Sequence, residues 1–172
     1  MRIFISGHSG VGKSTIISEV LKRNPDIVLS VSYTTRKPRP EEVHGRDYFF
    51  ISPQEFEEMV SREAFLEWAQ VHDHTYGTSL EWVSSREKEG MHILFDIDVQ
   101  GVRQAKQRGF SGSYIFIIPP STDELAQRLK HRGTEDEKSF SLRLKNAREE
   151  LRYWKMYDYI VINGVIEQAI KD

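Results

Sequence analysis

Two periods of apolar spacing take turns along this chain, one of strand type and one of helix type. Ile3-Phe4-Ile5 is a short run with no polar face, the pattern of a strand covered on both sides in a parallel sheet. Lys13 to Asn24 then places Ile16, Ile17, Val20 and Leu21 at helical spacing, and Asn24-Pro25 stops it. Ile27 to Val31 reads as a second strand. After a long interruption the alternation resumes. Ser79 to Glu89 predicts a helix ending at Gly90, and Ile93-Leu94-Phe95-Asp96-Ile97 a buried strand that finishes in acid. Val99 to Arg108 is a helix closed by Gly109, and Tyr114 to Ile118 another apolar strand. Pro119-Pro120 breaks that strand, and Ser121-Thr122-Asp123-Glu124 caps a further helix. Gly133 and a capping box from Thr134 to Glu137 divide it from a longer, charged helix, and Tyr159-Ile160-Val161-Ile162 is the last strand. The sum is an α/β fold with a mostly parallel sheet layered between helices.

The interruption spans about Ser32 to Thr78. Lys37-Pro38-Arg39-Pro40 cannot sit inside a helix, and Tyr48 to Ile51 is strand-like. Ser52-Pro53-Gln54-Glu55 is a helix start, with proline in the first turn and a capping box; Phe56, Met59 and Val60 give that helix its apolar face. Leu66 to Val71 fits a short strand. A segment that breaks the alternation in this way reads as an inserted lobe, 32–78, within one domain whose core is 1–31 and 79–172.

Composition narrows the classes of function. The 172 residues suit one domain, and a net charge of −2 gives no global field for nucleic acid or an anionic membrane, so an anion site has to be local. With no cysteine there is no disulfide, thiolate metal site or cysteine nucleophile. No apolar run approaches the roughly 20 residues of a bilayer span, and a cytoplasmic protein is expected. His72-Asp73-His74 is the one metal-like cluster, and without a further ligand nearby it reads as a surface loop.

The strongest local signal is Gly7-His8-Ser9-Gly10-Val11-Gly12-Lys13-Ser14, between the first strand and the first helix. That is the context of a phosphate-binding loop. Its glycines let the backbone turn tightly, so that N–H groups converge on phosphate oxygens at the positive end of the helix. Lys13 would reach the β- and γ-phosphates of a nucleoside triphosphate, the Ser14 hydroxyl would coordinate Mg²⁺, and Thr15 follows at the same site. Asp96, at the end of an apolar strand, stands where acids near that ion are found; a strand-terminal acid in water is the plainer alternative.

A second signal lies in the interruption. Ser32-Tyr33-Thr34-Thr35-Arg36-Lys37-Pro38-Arg39-Pro40 sets two arginines three apart on a proline-stiffened stretch, and the guanidinium fork suits phosphate. Alone, its plainer reading is a solvated basic turn. Taken with Gly45 to Phe50, Phe65-Leu66-Glu67-Trp68, Tyr76-Gly77-Thr78, Asp96 to Gly101, Pro119-Pro120-Ser121 and Arg132-Gly133-Thr134, the chain resembles the guanylate kinases over nearly its whole length.

That resemblance implies a P-loop NTPase core with a GMP-binding lobe and a helical lid at about 121–157. It implies transfer of the γ-phosphate of ATP to GMP, with dGMP beside it, Mg²⁺ as cofactor, and no nucleic acid or membrane partner. Arg36, Arg39, Tyr48 and Tyr76 match the residues that bind the GMP phosphate. Glu67 matches the glutamate that pairs with guanine, and Ser32, Thr78 and Asp98 match groups near the base. Thr78 also fits a plain helix cap, since Glu81 completes a box. Arg132 and Arg143 match lid arginines that, with Lys13 and Arg39, serve catalysis; salt bridging on a charged helix, with Glu135 or Glu149, is the alternative for both.

Two positions depart from the family. His8 replaces a usual proline and is expected to point to solvent. Asn163-Gly164 replaces Asn-Asp, and the helix beyond is short. Two rival readings follow from the same family pattern. A phosphopeptide-binding module would lose Lys13 or the lid arginines, and a kinase for a ribose phosphate need not keep Glu67 or Thr34-Thr35-Arg36.

Overall fold

The apolar runs become strands, and the helical spacings become helices, in the order the alternation predicts. A computed structural model describes residues 1–8, 10–71, 73–131 and 137–172. The elements are β1 (Arg2–Gly7), α1 (Lys13–Arg23), β2 (Ile27–Leu29), β3 (Tyr33–Thr34), β4 (Phe49–Phe50), α2 (Pro53–Ser61), β5 (Phe65–Val71), β6 (His74–Ser79), α3 (Leu80–Lys88), β7 (His92–Asp96), α4 (Val99–Gln107), β8 (Ser113–Ile118), α5 (Thr122–His131), α6 (Glu137–Glu150), a 3₁₀ segment (Leu151–Met156), β9 (Tyr159–Ile162) and α7 (Ile166–Lys171).

The central sheet has the order β2-β7-β1-β8-β9, with every pair parallel. Side chains alternate between its faces, as a period of two requires. Phe4, Ile93, Phe95, Tyr114 and Phe116 point one way, into a core shared with Val83 of α3 and Val99, Val102 and Ala105 of α4. Ile5, Leu94 and Ile117 point the other way, onto Ile16 and Ile17 of α1 and Ala169 of α7. Helices on both faces make three layers. On the first face Phe95, Phe4 and Tyr114 stack in a row at 4.5 and 4.4 Å between ring centroids, and Phe116 stacks on Tyr157 at 4.5 Å. Each such fully buried side chain stabilises the fold by about 1.5–3 kcal/mol relative to exposure.

Residues 33–79 build a second sheet, β4-β3-β6-β5, in which β3 and β4 are parallel and the other pairs antiparallel. Phe56 of α2 stacks on Phe65 of β5 at 4.5 Å, and Tyr33 on Phe49 at 4.6 Å. The capping box at the head of α2 is complete: Ser52 accepts from the Glu55 amide, and Glu55 accepts from the Ser52 amide.

Three expectations need correction. The second strand ends at Leu29 rather than Val31, because the chain leaves the central sheet there, with the Ser30 amide donating to the Leu94 carbonyl as the last link. The strand expected over 48–51 is only Phe49–Phe50, short because its single partner β3 has two residues. The cap of α3 is Ser79, whose hydroxyl accepts from the Trp82 amide at 3.3 Å, and not Thr78.

Candidate active site

The donor loop leaves the carboxyl end of β1 and opens α1. Gly10 and Gly12 adopt φ of 86° and 89°, a left-handed backbone that only glycine takes without strain, and Gly12 is the residue that begins the helix. No acid occupies the first turn of α1, so its N–H groups and dipole keep their positive end for an anion. Lys13 is the first helical residue, and Ser14 and Thr15 are exposed beside it. In the sheet Ile5 of β1 pairs with Asp96 of β7, which puts that carboxylate next to the loop, and the Lys13 ammonium is ion-paired to it. Asp96 is exposed at the end of its strand, and the ion pair with Lys13 is what ties it to the loop.

The loop is braced from below. Val11 is fully buried, and its carbonyl accepts from the Asn163 side-chain amide at 2.7 Å. Asn163 stands just past β9, at the carboxyl end of the last parallel strand, so the strand at the sheet edge holds the loop of the strand at its centre.

A cleft opens from this loop toward the second sheet. Ser32, Tyr48, Glu67, Tyr76, Asp96 and Asp98 line it, with Ala69, Val71 and Ile97. Glu67 lies at its floor with 6% exposure. A register shift in β5 between Phe65 and Glu67 sets Glu67 opposite Thr78, and the Thr78 hydroxyl donates to Glu67 Oε1 at 2.7 Å. Burial pushes the Glu67 carboxyl up to about 7; the Thr78 hydrogen bond opposes this and the Asp98 charge adds to it. Asp98 itself caps α4, accepting from the Gly101 amide at 2.8 Å. The missing side chain at Gly101 also shapes this wall. A Cβ there would stand 3.0 Å from Glu67 Oε2, so its absence lets the first turn of α4 close against the carboxylate.

The basic segment borders the same cleft. The Arg36 guanidinium donates to Glu42 Oε1 at 2.7 Å and lies over the Tyr48 ring, 5.4 Å from its centroid. The rings of Tyr48 and Tyr76 meet edge to face at 5.9 Å. Glu42 also accepts from the Arg39 amide at 2.8 Å, so one carboxylate folds the stretch between the two arginines into a fixed turn. Hydrogen bonds from Arg36 and from the Arg39 amide hold the Glu42 carboxyl below its usual range. The Arg39 side chain is exposed.

The anion loop thus reaches this cleft through the Lys13–Asp96 pair, and the buried Glu67 carboxyl lies in it. A family model described as guanylate kinase matches residues 1–172. The chain belongs to the guanylate kinase family. The guanylate kinase of Caldanaerobacter subterraneus subsp. tengcongensis is 47% identical over 169 residues, 98% of this chain and 82% of its own length. That of Thermotoga maritima is 47% identical over 167 residues, 97% of this chain and 81% of its own. The crystal structure of guanylate kinase from Anaplasma phagocytophilum superposes with a TM-score of 0.76 at 30% identity, covering 99% of this chain and 80% of that one.

The positions taken from the sequence do not all meet in the cleft. Lys13, Ser32, Arg36, Tyr48, Glu67, Tyr76, Asp96 and Asp98 line the cleft or touch a residue that does. Thr78 is fully buried behind Glu67, so its hydroxyl serves the carboxylate rather than the cleft. Arg143 sits half-buried on α6, outside the cleft lining. Ser9, Arg132 and His72 lie outside the described residues.

His8 contradicts its expectation. Its side chain is 1% exposed and points into the core, where Nδ1 is 2.8 Å from Glu150 Oε2 and the ring meets Phe116 edge to face at 5.3 Å. A histidine between glycines carries no sequence mark of burial, and its partner lies 142 positions away. Glu42 and Asn163 were also missed as working residues. Glu42 had a faint signal, an acid at the end of an arginine-rich turn. Asn163 had a better one, a lone amide at the carboxyl end of a parallel strand, where the ligand loops of such sheets gather.

Proposed function

We propose that this chain transfers the γ-phosphoryl group of ATP to GMP, giving ADP and GDP, as a cytoplasmic enzyme of purine nucleotide metabolism. The observation that carries the reading is the buried Glu67 carboxylate in the same cleft as Asp96, the partner of Lys13. Guanine presents its N1–H and N2 amino group on one edge, and a single carboxylate accepts from both. Adenine has an acceptor at N1 and no N2 amino group, and would leave the buried carboxylate unpaired. Sites built on such bonds discriminate by roughly 10⁴–10⁵. A ribose phosphate, with no base, has no use for Glu67. dGMP differs only at the sugar and is accepted with GMP.

Arg36, Tyr48 and Tyr76 would hold the GMP phosphate, and Arg39 would orient it. Ser32 and Asp98 would meet the base, with Thr78 fixing Glu67. The attacking oxygen belongs to a phosphate whose second pKa is about 6, so it is ionised at neutral pH and needs no general base. The work of the protein is positioning and charge neutralisation. Gly7 to Thr15 cradles the triphosphate. Lys13, Arg132 and Arg143 balance the charge of the transferring group, and residues 32–78 and 121–157 close over the substrates to exclude water.

Mg²⁺ fits the donor set. Ser14 Oγ is a hard oxygen donor on the loop, the Asp96 carboxylate beside Lys13 is another, and among the described residues no cluster of three or more His or acidic side chains competes for the ion. Two protein oxygens suit an ion that keeps several waters and takes its other ligands from phosphates. When bound, it supplies charge neutralisation on the β- and γ-phosphates.

A coupled assay with ATP, Mg²⁺ and each of GMP, AMP, CMP and UMP tests the reading. Turnover with GMP at least 10³ times that with AMP is expected. No turnover with any acceptor by the folded protein would make the chain a binding module instead.

A further inference from the structure

His8 belongs to the donor loop by sequence, yet its imidazole turns away from it into a polar pocket of the core. The neighbours are unusual for a buried site. His8 Nε2 is buried with no hydrogen-bond partner among the described residues, the Ser6 and Tyr157 hydroxyls face each other, and Glu150 serves only Nδ1. A buried polar group left unpaired costs stability. Apolar side chains of the same volume would fill the pocket more stably. What the polar contact offers instead is direction, which bears on how an element packs there.

We infer that His8 is a positioning residue: through Glu150 it sets helix α6, and Arg143 with it, in one register against the donor loop. Glu150 is the last residue of α6, and its helical backbone leads directly into the 3₁₀ segment. Arg143 stands seven residues earlier, two helical turns and about 10 Å along the same face. That face is the inward one. Phe140, Arg143, Leu144, Ala147 and Glu150 are its half-buried or buried positions, at helical spacing. The other side of the loop is held as well, since Gly10 closes on Leu129 of α5, where a Cβ would stand 2.8 Å from its Cδ2. Leu125 and Leu129 share a small core with Ala147, Phe140 and Leu144, so α5 and α6 move together. Packing of that apolar core fixes the distance of α6 from the loop but tolerates rotation or sliding. The His8–Glu150 hydrogen bond is directional and does not. This inference rests on the proposed role of Arg143 in phosphoryl transfer.

The test has a kinetic and a structural arm. His8→Leu and Glu150→Ala should each lower kcat about tenfold with little change in KM for GMP, the signature of a misplaced group that acts only in the transition state. The double variant should be no slower than either single one. His8→Asn places an amide N–H close to the position of Nδ1 and should recover most of the lost kcat. For the structural arm, the absence of cysteine allows spin labels at Ser141→Cys on α6 and Ser84→Cys on α3, both exposed. The wild-type distance distribution should be narrow, broadened by His8→Leu and narrow again in His8→Asn. If His8→Leu does not fold, Glu150→Ala, at a position 34% exposed, carries both arms. Wild-type kcat and an unchanged distance distribution in the single variants, or losses that multiply in the double one, would overturn the inference. A wild-type chain that does not phosphorylate GMP refutes the proposed reaction instead, and the distance arm still decides whether His8 sets α6.

Discussion

Glu67→Gln removes a buried charge from the acceptor cleft while leaving its shape and the bond from Thr78, which glutamine can still accept. Its consequences can be worked from the structure. Burial holds the wild-type carboxyl at about 7, against 4.5 when it is free of the fold. The folded protein therefore binds this proton more tightly than the unfolded chain. Wild-type stability falls as pH rises from about 4.5 to about 7 and is flat above, a total of about 3 kcal/mol. Glutamine does not titrate, so the stability of the variant relative to wild type should grow by about 2–3 kcal/mol between pH 5 and pH 8. Urea unfolding of both proteins at the two pH values measures it. Function should move the opposite way. Glutamine sets one N–H against a guanine N–H, and kcat/KM for GMP should fall about 100-fold, roughly 2.7 kcal/mol, while that for AMP hardly changes. In the wild type, kcat/KM for GMP should also drop below about pH 7 more steeply than in the variant, since ionisation of the GMP phosphate is common to both. A stability difference independent of pH, or unaltered selectivity for GMP over AMP, would refute the reasoning.

Three further substitutions probe the supports of the cleft. Gly101→Ala brings a methyl group to 3.0 Å from Glu67 Oε2 and 3.1 Å from Ile97 Cβ; KM for GMP should rise severalfold with KM for ATP unchanged, and equal effects on both would contradict the assignment. Asn163→Ala leaves the buried Val11 carbonyl unpaired, which should cost about 1–3 kcal/mol in denaturant titration and raise KM for ATP before that for GMP. Ser52→Ala removes the cap of α2 and should lower stability by about 1 kcal/mol with the kinetics of both substrates intact; an altered KM for GMP would show that the cap does more than hold its helix.

The central sheet was legible because each of its strands is an apolar run; burial on both faces accounts for β1, β7 and β8, while β2 and β9 lie at the edges and leave Leu29, Tyr159, Ile160 and Ile162 exposed. β3 and β6 were not legible. Tyr33-Thr34 is too short to show a period, and His74-Thr75-Tyr76-Gly77-Thr78-Ser79 has no apolar alternation, because it is held between β3 and β5 by pairing rather than by an oily face. The cap of α3 was misplaced by one residue because Thr78 and Ser79 are both good caps and only the fold gives Thr78 a carboxylate to serve. Lys13 could be read from its motif, whereas Glu67 and the arginine-rich turn took their roles from the resemblance to the guanylate kinases. The braces could not be read: His8 with Glu150, Asn163 with Val11 and Gly101 with Glu67 are contacts between distant segments, and no local pattern encodes them.

The central claim is that this cleft selects guanine and that the phosphoryl group lands on its nucleotide. One reaction tests both parts: ATP labelled in the γ-phosphate, Mg²⁺, and GMP, AMP, CMP and UMP together at equal concentration, with the products separated by chromatography. Label in GDP alone is the predicted result. Label shared with ADP, CDP or UDP, or released as inorganic phosphate, would contradict it.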